Sequence, residues 1–596
     1  MSSTDAMTAR KTAATRLAIG LAQGIALFLL QKADESKAWP ATVPMLYAPL
    51  LVCALMVPMI PLAALSAMRR AALIAWTVLA TGLTAVLAVH AAWTGAEPQR
   101  LGAGPLSPPI FIAAAALLFI AHHLVQPADA ARKPVAPYAD YFDLAFTNLI
   151  RLFLSLAFTG AFWLLLFLAG ALFKLIGVQA IQKLIGETAF AFPATGLMFA
   201  AAVHMAVQLT EARAGLVRGV RTVGLTLLAW LSPLMVVIAG GFLATLPFTG
   251  LAPLWGTKAA ASLLLSAAAA LIILVNAAYQ DGVEPPSTIP RWAARIAGLL
   301  LIPIVILAAY ALWLRVDQYG LTPDRVFAGA YLVVAIGFTA GYAIAALRPG
   351  PWMKTLEPTN LIMAAVSVLL LIALFTPIAD PARLSVNSQV KRLERGKVAA
   401  EKFDFQFLRF DSGRYGRLAL ERLKAHPDAE VAKRAREAAA STEKRYAASE
   451  ARPNFKAMAV YPVGKALPKS FIAQDWSKPS GSNCTGAAMQ CPALVADVDA
   501  DGRDEVLLAE GDRLKVFSEG ADHTWSLTAI ALAGCESYDL ETWMKAGPPT
   551  LGEPVARRDL ILDGRRLPLQ PASKDCQASG ASAAPPRDGG VNPDKK

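Results

Sequence analysis

Ten long apolar runs constrain the fold of this chain more than any other feature of its sequence. Each approaches or exceeds the roughly 18 uncharged residues that a helix needs to cross the hydrocarbon core of a bilayer. A helix is favoured there because it satisfies its own backbone hydrogen bonds where water is absent. The runs are residues 45–67, 71–93, 110–125, 152–173, 189–209, 223–246, 259–278, 296–314, 326–347 and 361–378.

An eleventh run, residues 17–30, is shorter and reaches across only if residues 13–16 are added and the Arg16 guanidinium extends to the headgroups. Its basic start and the sequence Ser36-Lys37-Ala38 also resemble a signal peptide with a cleavage site, which leaves the remaining topology unchanged. The sequence therefore predicts an α-helical polytopic membrane protein of about 11 transmembrane helices, followed by a C-terminal soluble α+β domain.

Charged residues are distributed unevenly along the chain, and this sets the expected domain boundaries. Residues 17–378 hold 33 charged side chains, about 9%, whereas residues 379–596 hold 63, about 29%. In soluble domains about a quarter of the residues are charged. The low charge of residues 17–378 therefore excludes a cytosolic enzyme. The expected segments are a cytoplasmic N-terminus (1–16), a transmembrane domain (17–378), a helical periplasmic segment (379–452), a β-rich periplasmic lobe (453–576) and a disordered tail (577–596).

The basic side chains between the spans predict the orientation. With the N-terminus in the cytoplasm, 15 Lys and Arg residues fall in the inner segments and 8 in the outer loops, in keeping with the positive-inside rule. An odd number of crossings then places the C-terminus outside the cytoplasm, which in a bacterium means an inner-membrane protein with a periplasmic tail. The net charge of +12 is mostly loop charge near lipid headgroups, so the bilayer is an expected partner and nucleic acid is not.

The cysteines are concentrated after the last span, where Cys484, Cys491, Cys535 and Cys576 lie. An even number of cysteines is typical of disulfide-bonded proteins in an oxidising compartment, and these four cysteines allow three possible pairings. Pairing of Cys484 with Cys491 and of Cys535 with Cys576 is favoured because the first bond closes a short loop. A zinc site is disfavoured, since the spacing contains no CxxC pair and no nearby His.

An acidic loop at residues 497–505 is the clearest chemical motif in the sequence. Its candidate calcium ligands are Asp497, Asp499, Asp501, the Arg503 backbone carbonyl and Glu505. Oxygens at loop positions 1, 3, 5, 7 and 9 suit a hard cation, and Gly502 at position 6 permits the tight turn. Position 12 is Leu508, where an EF-hand has a bidentate Glu, and the flanking segments are strand-like.

The same loop, within residues 493–518, resembles the calcium loop of integrin-alpha-type propeller repeats. Only one copy is present, so this chain alone cannot assemble a propeller. The bound Ca²⁺ is expected to be structural and to stiffen a small lobe that has little core of its own. The alternative is a solvated acidic hairpin turn, although three alternating Asp carboxylates would repel one another without a cation.

Short β-prone runs indicate the small β-rich lobe after about residue 453. They are residues 458–461, 493–498, 505–509, 513–517, 525–532 and 559–562. Before the lobe, residues 385–401 and 428–448 carry helix-forming side chains. Between these two helical stretches, the aromatic residues of 403–416 are expected either to form core contacts or to dock the tail on the membrane domain or on lipid.

Three hydrophobic motifs resemble a known family. Residues 151–156 (Arg-Leu-Phe-Leu-Ser-Leu), 162–167 (Phe-Trp-Leu-Leu-Leu-Phe) and 172–177 (Leu-Phe-Lys-Leu-Ile-Gly), together with Gln23-Gly24, are similar to the bacterial membrane-protein family called domain of unknown function 4153. The resemblance covers roughly residues 15–380 and implies a multispan architecture. The family brings no established reaction, so the resemblance assigns no catalytic residue.

The leading functional hypothesis is a non-enzymatic membrane protein whose calcium-binding lobe senses or engages an envelope partner, a protein or a glycan. A lipid-linked glycosyltransferase is one alternative, because Asp34 and Glu35 stand in the first outer loop where such enzymes place acidic residues, although this loop is short. A transporter is another, with His204 and Gln208 lining a cavity from one helix face. These two side chains could instead form packing contacts, and the absence of charge near the centre of any span argues against proton-coupled transport.

Overall fold

The computed structural model of the protein consists of two compact units, Met1–Thr442 and Glu443–Lys596. The structure describes residues 3–95, 108–251, 254, 259–441, 455, 458–476, 482, 484, 491–499, 501–510, 513–532, 544, 560–562 and 565–567. Composition placed the start of the β-rich lobe at residue 453, whereas the division between the units falls after Thr442.

The first unit is helical. Its helices are α1 (Ser3–Glu35), α2 (Pro44–Met56), α3 (Met59–Ala64), α4 (Arg70–Gly95), α5 (Pro108–Ala131), α6 (Tyr138–Leu175), α7 (Ala180–Gly186), α8 (Thr188–Ala212), α9 (Ala214–Ala229), α10 (Ser232–Thr249), α11 (Ala260–Tyr279), α12 (Thr288–Tyr319), α13 (Pro323–Leu347), α14 (Leu356–Leu374), α15 (Pro381–Glu394), α16 (Gly413–Leu423) and α17 (Ala429–Ala440).

Within the described part of the chain, eleven stretches of helix are long and apolar enough to cross a membrane. Helices α2 and α3 together form one of them, and α9 and α10 form another. The short first run, residues 17–30, is part of α1 and belongs to a span of 26 residues, Arg10–Glu35. The multispan architecture predicted from the apolar runs is therefore confirmed.

Three glycines allow α1 and α8 to approach closely. Gly20 and Gly24 lie one turn apart on α1 and face Gly196 of α8. A Cβ atom at Gly20 would clash with the Gly196 carbonyl oxygen, and one at Gly24 would clash with the Phe192 carbonyl oxygen. Small residues are the common means of packing membrane helices, since lipid tails remove the hydrophobic drive for association. The crossing also sets the position of Arg16, one turn before Gly20.

A separate apolar core joins α15, α16 and α17. Its buried members include Val386, Val390, Phe403, Phe405, Leu408, Leu420, Val431 and Ala435. Burial of these side chains stabilises three short helices that otherwise have few apolar residues. Phe403, Phe405 and Leu408 show that the aromatic stretch 403–416 contributes core contacts, one of its two expected roles.

The same helices dock on the end of α4. Oδ2 of Asp380, just before α15, lies 2.8 Å from Nε2 of His90, and both residues are buried. Tyr415 packs edge-on against Trp93 with 5.2 Å between the ring centroids. The stretch 403–416 therefore has its second expected role as well, and residues 381–441 belong to the same compact unit as the spans.

The second unit is built on a sheet with the strand order β1-β2-β3-β4-β5. Its strands are β1 (Val460–Tyr461), β2 (Ala493–Ala496), β3 (Glu505–Glu510), β4 (Arg513–Glu519) and β5 (Trp525–Leu532), and a separate pair is formed by β6 (Leu560–Leu562) and β7 (Arg565–Leu567). β1 is parallel to β2, and the other neighbours are antiparallel. Each predicted β-prone run overlaps one of these strands, and β7 is an additional strand.

A short helix, α18 (Lys469–Ala473), supplies the centre of the lobe's core. Its Phe471 is fully buried among Phe455, Trp476, Phe517 and Trp525. The predicted disulfide between Cys484 and Cys491 is present, and both half-cystines belong to this core. Cys535 and Cys576 lie outside the described residues, so their pairing stays a prediction.

Candidate functional site

The acidic loop is the connection between two antiparallel strands. β2 ends at Ala496 and β3 begins at Glu505, and these two residues are paired in the sheet. Gly502 has a φ of +86°, a left-handed conformation in which a side chain would be strained. The strands thus hold both ends of the loop, and the glycine turns the chain so that the preceding Asp side chains converge.

The three Asp side chains come together as predicted from their spacing. Carboxylate oxygens of Asp497, Asp499 and Asp501 all lie within 4.8 Å of one another. Backbone amides hold all three carboxylates: Asp497 Oδ2 accepts from Gly502 N at 2.9 Å, Asp499 Oδ1 from Asp501 N at 3.2 Å, and Asp501 Oδ1 from Arg503 N at 2.8 Å. Among the described His, Cys, Asp and Glu residues, this is the one group of three arranged closely enough to share a metal ion.

Glu505 lies beneath the loop with only 3% of its surface exposed. Its Oε2 accepts a hydrogen bond from Val498 N at 2.9 Å. Burial raises the pKa of this carboxyl above its usual range, and the negative charges of Asp499, Asp501 and Asp497 raise it further. A cation at the loop would lower the pKa of Glu505 again, because its positive charge would offset the repulsion between these carboxylates.

One buried carboxylate oxygen of the loop lacks a hydrogen-bond partner. Asp497 Oδ1 is buried and has no hydrogen-bond partner, whereas buried polar atoms are normally paired. The Oδ2 atom of the same side chain is already bonded to Gly502 N, so the free oxygen is the one available as a ligand. Oxygen ligands of this kind are those that Ca²⁺ prefers. The residues present therefore fit a calcium site.

The polar residues proposed for a transporter lie at a helix contact. His204 Nε2 and Gln208 Nε2 on α8 are 3.1 Å apart, which agrees with the shared face expected from their spacing. On the other side of the ring, His204 Nδ1 lies 3.1 Å from an Nη atom of Arg16 on α1. This is a contact across two helices, the arrangement typical of packing in membrane proteins.

Arg16 itself differs from the expectation that it extends to the headgroups. The residue is only 1% exposed, and its guanidinium donates to the Leu62 carbonyl at 3.0 Å and to Ser66 Oγ at 3.1 Å. The expectation was wrong because α1 crosses α8 at Gly20 and Gly196, which turns Arg16 toward α3 and α8. Sequence spacing within α1 carries no information about that crossing.

The acidic pair proposed for a glycosyltransferase lies on the surface at the end of α1. Asp34 Oδ1 is 3.1 Å from Lys37 Nζ, and Glu35 Oε2 is 3.7 Å from Lys32 Nζ. Both are local pairs, three residues apart in sequence, between exposed side chains. Such exposed pairs contribute little to stability.

Two further polar clusters at helix ends were not identified from the sequence. Arg221 of α9 bridges Asp143 and Asp281, which lie on or beside different helices. A second cluster links Tyr342 with Asn276 and Asn360 through hydrogen bonds of 2.6 Å and 2.8 Å. Their members are far apart in sequence, so only the folded chain brings them together.

The fold defines a multi-pass integral membrane protein with a C-terminal extramembrane lobe. The chain belongs to the family described as domain of unknown function (DUF4153), whose family model matches residues 51–423. The match includes the three motifs between residues 151 and 177, leaves out Gln23-Gly24, and extends beyond residue 380 through α16. Comparison with curated proteins and with solved structures found no match.

Proposed function

We propose that the multispan domain anchors a calcium-binding lobe on the periplasmic side of a bacterial inner membrane, where the lobe engages or senses a cell-envelope protein or glycan. The observations that carry the proposal are the convergence of the three Asp carboxylates and the buried Asp497 Oδ1 that has no hydrogen-bond partner. The likeness of residues 493–518 to integrin-alpha-type calcium loops adds to it, since the loop connects two antiparallel strands.

The bound ion would hold the β2–β3 connection in one conformation. Its positive charge offsets the repulsion among Asp497, Asp499 and Asp501, which the amides of Gly502 and Arg503 reduce only in part. Glu505 can then remain ionised although it is buried. A fixed connection presents the same surface to a partner each time, and this is why we connect calcium to recognition instead of to catalysis.

Two observations support the periplasmic location. The disulfide between Cys484 and Cys491 is typical of proteins exposed to an oxidising compartment. The excess of basic residues between alternate spans favours a cytoplasmic N-terminus, and an odd number of crossings then puts the lobe on the opposite side.

The location can be tested with reporters fused after Lys596. We expect alkaline phosphatase, which needs the periplasm to form its disulfides, to be active in this fusion, and green fluorescent protein to remain dark. Fusions after Lys354, between α13 and α14, provide the matched control, because this connection is expected in the cytoplasm. Fluorescence after Lys596 together with phosphatase activity after Lys354 would reverse the proposed orientation.

Calcium binding can be tested by isothermal titration of the full chain in detergent. We expect one bound Ca²⁺ per chain, and we expect Asp499→Asn to weaken the affinity by roughly tenfold or more because a charged ligand is lost. Asp522→Asn is the matched control: Asp522 also bonds within an exposed turn of the same lobe, through Thr524, but lies outside the carboxylate group. Equal affinities for the two variants, or no binding by the wild type, would contradict the calcium proposal.

A further inference from the structure

A partly open groove lies in the first unit, which contains the spans, and is lined by residues of α3, α6 and α8. Nine residues line it: Met59, Leu62, Ala63, Asn148, Arg151, Leu152, Phe199, Val203 and Val207. Phe199 and Val207 are eight residues apart on α8, so the groove follows that helix for about 12 Å. All of the lining is apolar except for Asn148 and Arg151, which are close together on α6.

Arg151 places a positive charge at the wall of this groove. Its side chain is 12% exposed, and Nε donates to Thr210 Oγ1 at 2.8 Å. The two Nη atoms have longer contacts, one of 3.3 Å to Asn148 Oδ1 and one of 3.5 Å to Glu211 Oε1. These longer contacts can be exchanged for a stronger acceptor without disturbing the bond that fixes the guanidinium to α8.

The surroundings of Arg151 contain more positive than negative charge. Arg16 is close enough to interact electrostatically with both Arg151 and Glu211, and its hydrogen-bond partners Leu62, Ser66 and His204 do not include a carboxylate. Glu211 is the acidic neighbour of both arginines, and 62% of its side chain is exposed to solvent. Two largely buried guanidinium groups thus share one solvated carboxylate, which favours an additional anion.

We propose that this groove binds one anionic phospholipid of the bilayer, with the headgroup phosphate on Arg151 and an acyl chain against Met59, Leu152 and Phe199. Arg151 precedes the apolar run of its span, so its guanidinium lies at the level where headgroups begin. Phosphate accepts two parallel hydrogen bonds from a guanidinium, a stronger interaction than the 3.3 Å contact with Asn148 and the 3.5 Å contact with Glu211 that it would replace.

The headgroup, and not the tail, would give the site its selectivity. Lipid tails are already in an apolar medium, so moving one into the groove gains little hydrophobic free energy. The attraction between an anionic headgroup and a basic side chain near the membrane surface is worth enough to favour an anionic over a zwitterionic lipid by about fivefold for one arginine. The apolar lining requires an amphiphile and disfavours a soluble anion.

Native mass spectrometry of the full chain in detergent tests this proposal. The probes are phosphatidylglycerol, phosphatidylcholine and inorganic phosphate, each added to the same preparation. We expect the wild type to retain phosphatidylglycerol over phosphatidylcholine by about fivefold. We expect Arg151→Gln to lose that preference, while Arg218→Gln, which removes an exposed arginine of α9, keeps it.

If Arg151→Gln does not fold, a second pair of variants tests whether the groove binds the lipid. Leu152→Trp fills the groove and leaves Arg151 in place, whereas Leu156→Trp adds the same ring one turn further along α6, on an exposed face. We expect only Leu152→Trp to reduce the retained phosphatidylglycerol. Equal retention by these two variants, equal retention of the two lipids by the wild type, or displacement of phosphatidylglycerol by inorganic phosphate would overturn the proposal.

Discussion

Replacing Phe471 with alanine is expected to unfold the β-rich lobe. The ring is completely buried, and its centroid lies 4.7 Å from that of Trp476 and 5.2 Å from that of Trp525. Truncating a buried Phe to Ala costs about 3–5 kcal/mol. The cost has two parts: the transfer free energy of the removed atoms is lost, and a cavity is left behind. A small domain has only about 5–15 kcal/mol of stability in total, so this single change removes much of it.

Phe471→Ala should also disrupt the conformation of the acidic loop. Val495 of β2 and Val506 of β3 belong to the same apolar core as Phe471, and these two strands hold the ends of the loop. If the core is lost, the three Asp side chains no longer converge. We therefore expect Phe471→Ala to lose calcium binding although every candidate ligand is still present.

Hydrogen exchange of the full-length variant, followed across β2 to β5, measures the unfolding directly. Ile472→Ala is the matched control, since Ile472 is the next residue of α18 but is exposed. We expect protection in β2 to β5 to fall in Phe471→Ala and to remain in Ile472→Ala. Normal protection and normal calcium affinity in Phe471→Ala would show that the loop does not depend on this core.

Local patterns account for the parts of the fold that the sequence predicted. The spans were predictable because a lipid-exposed helix must be apolar along its whole length. The convergence of Asp497, Asp499 and Asp501 was predictable because these side chains lie within five residues of one another and are brought together by a single turn. The bond between Cys484 and Cys491 was predictable for the same reason, since few residues separate the two thiols.

Contacts between distant residues were not predictable in this way. The Arg16–His204 contact joins residues 188 positions apart, and the His90–Asp380 contact joins residues 290 apart. Each depends on which helices are neighbours, and hydrophobic periodicity does not determine that. The contacts of Asp380 with His90 and of Tyr415 with Trp93 are likewise long-range, and through them α15 and α16 pack in the same compact unit as the spans.

Replacing Arg221 with methionine is expected to destabilise the membrane unit strongly. The Arg221 side chain is only 5% exposed and forms ion pairs with Asp143 and Asp281, while its guanidinium lies over the Phe142 ring. Removing one partner from a buried ionic cluster costs about 3–5 kcal/mol, because the remaining charges keep their desolvation cost without compensation. Both carboxylates are partly exposed, so we expect about 3 kcal/mol, the lower end of this range.

Thermal unfolding of the detergent-solubilised protein provides the measurement, and Arg218→Met provides the control. Arg218 lies three residues earlier on α9 and is exposed, so its replacement should change the unfolding free energy by less than about 0.5 kcal/mol. Adding Asp281→Asn to Arg221→Met should restore part of the loss, since one of the unpaired charges is then removed. Equal unfolding temperatures for Arg221→Met and Arg218→Met would mean that water already satisfies both carboxylates, and Arg221 would then contribute no more than a surface ion pair.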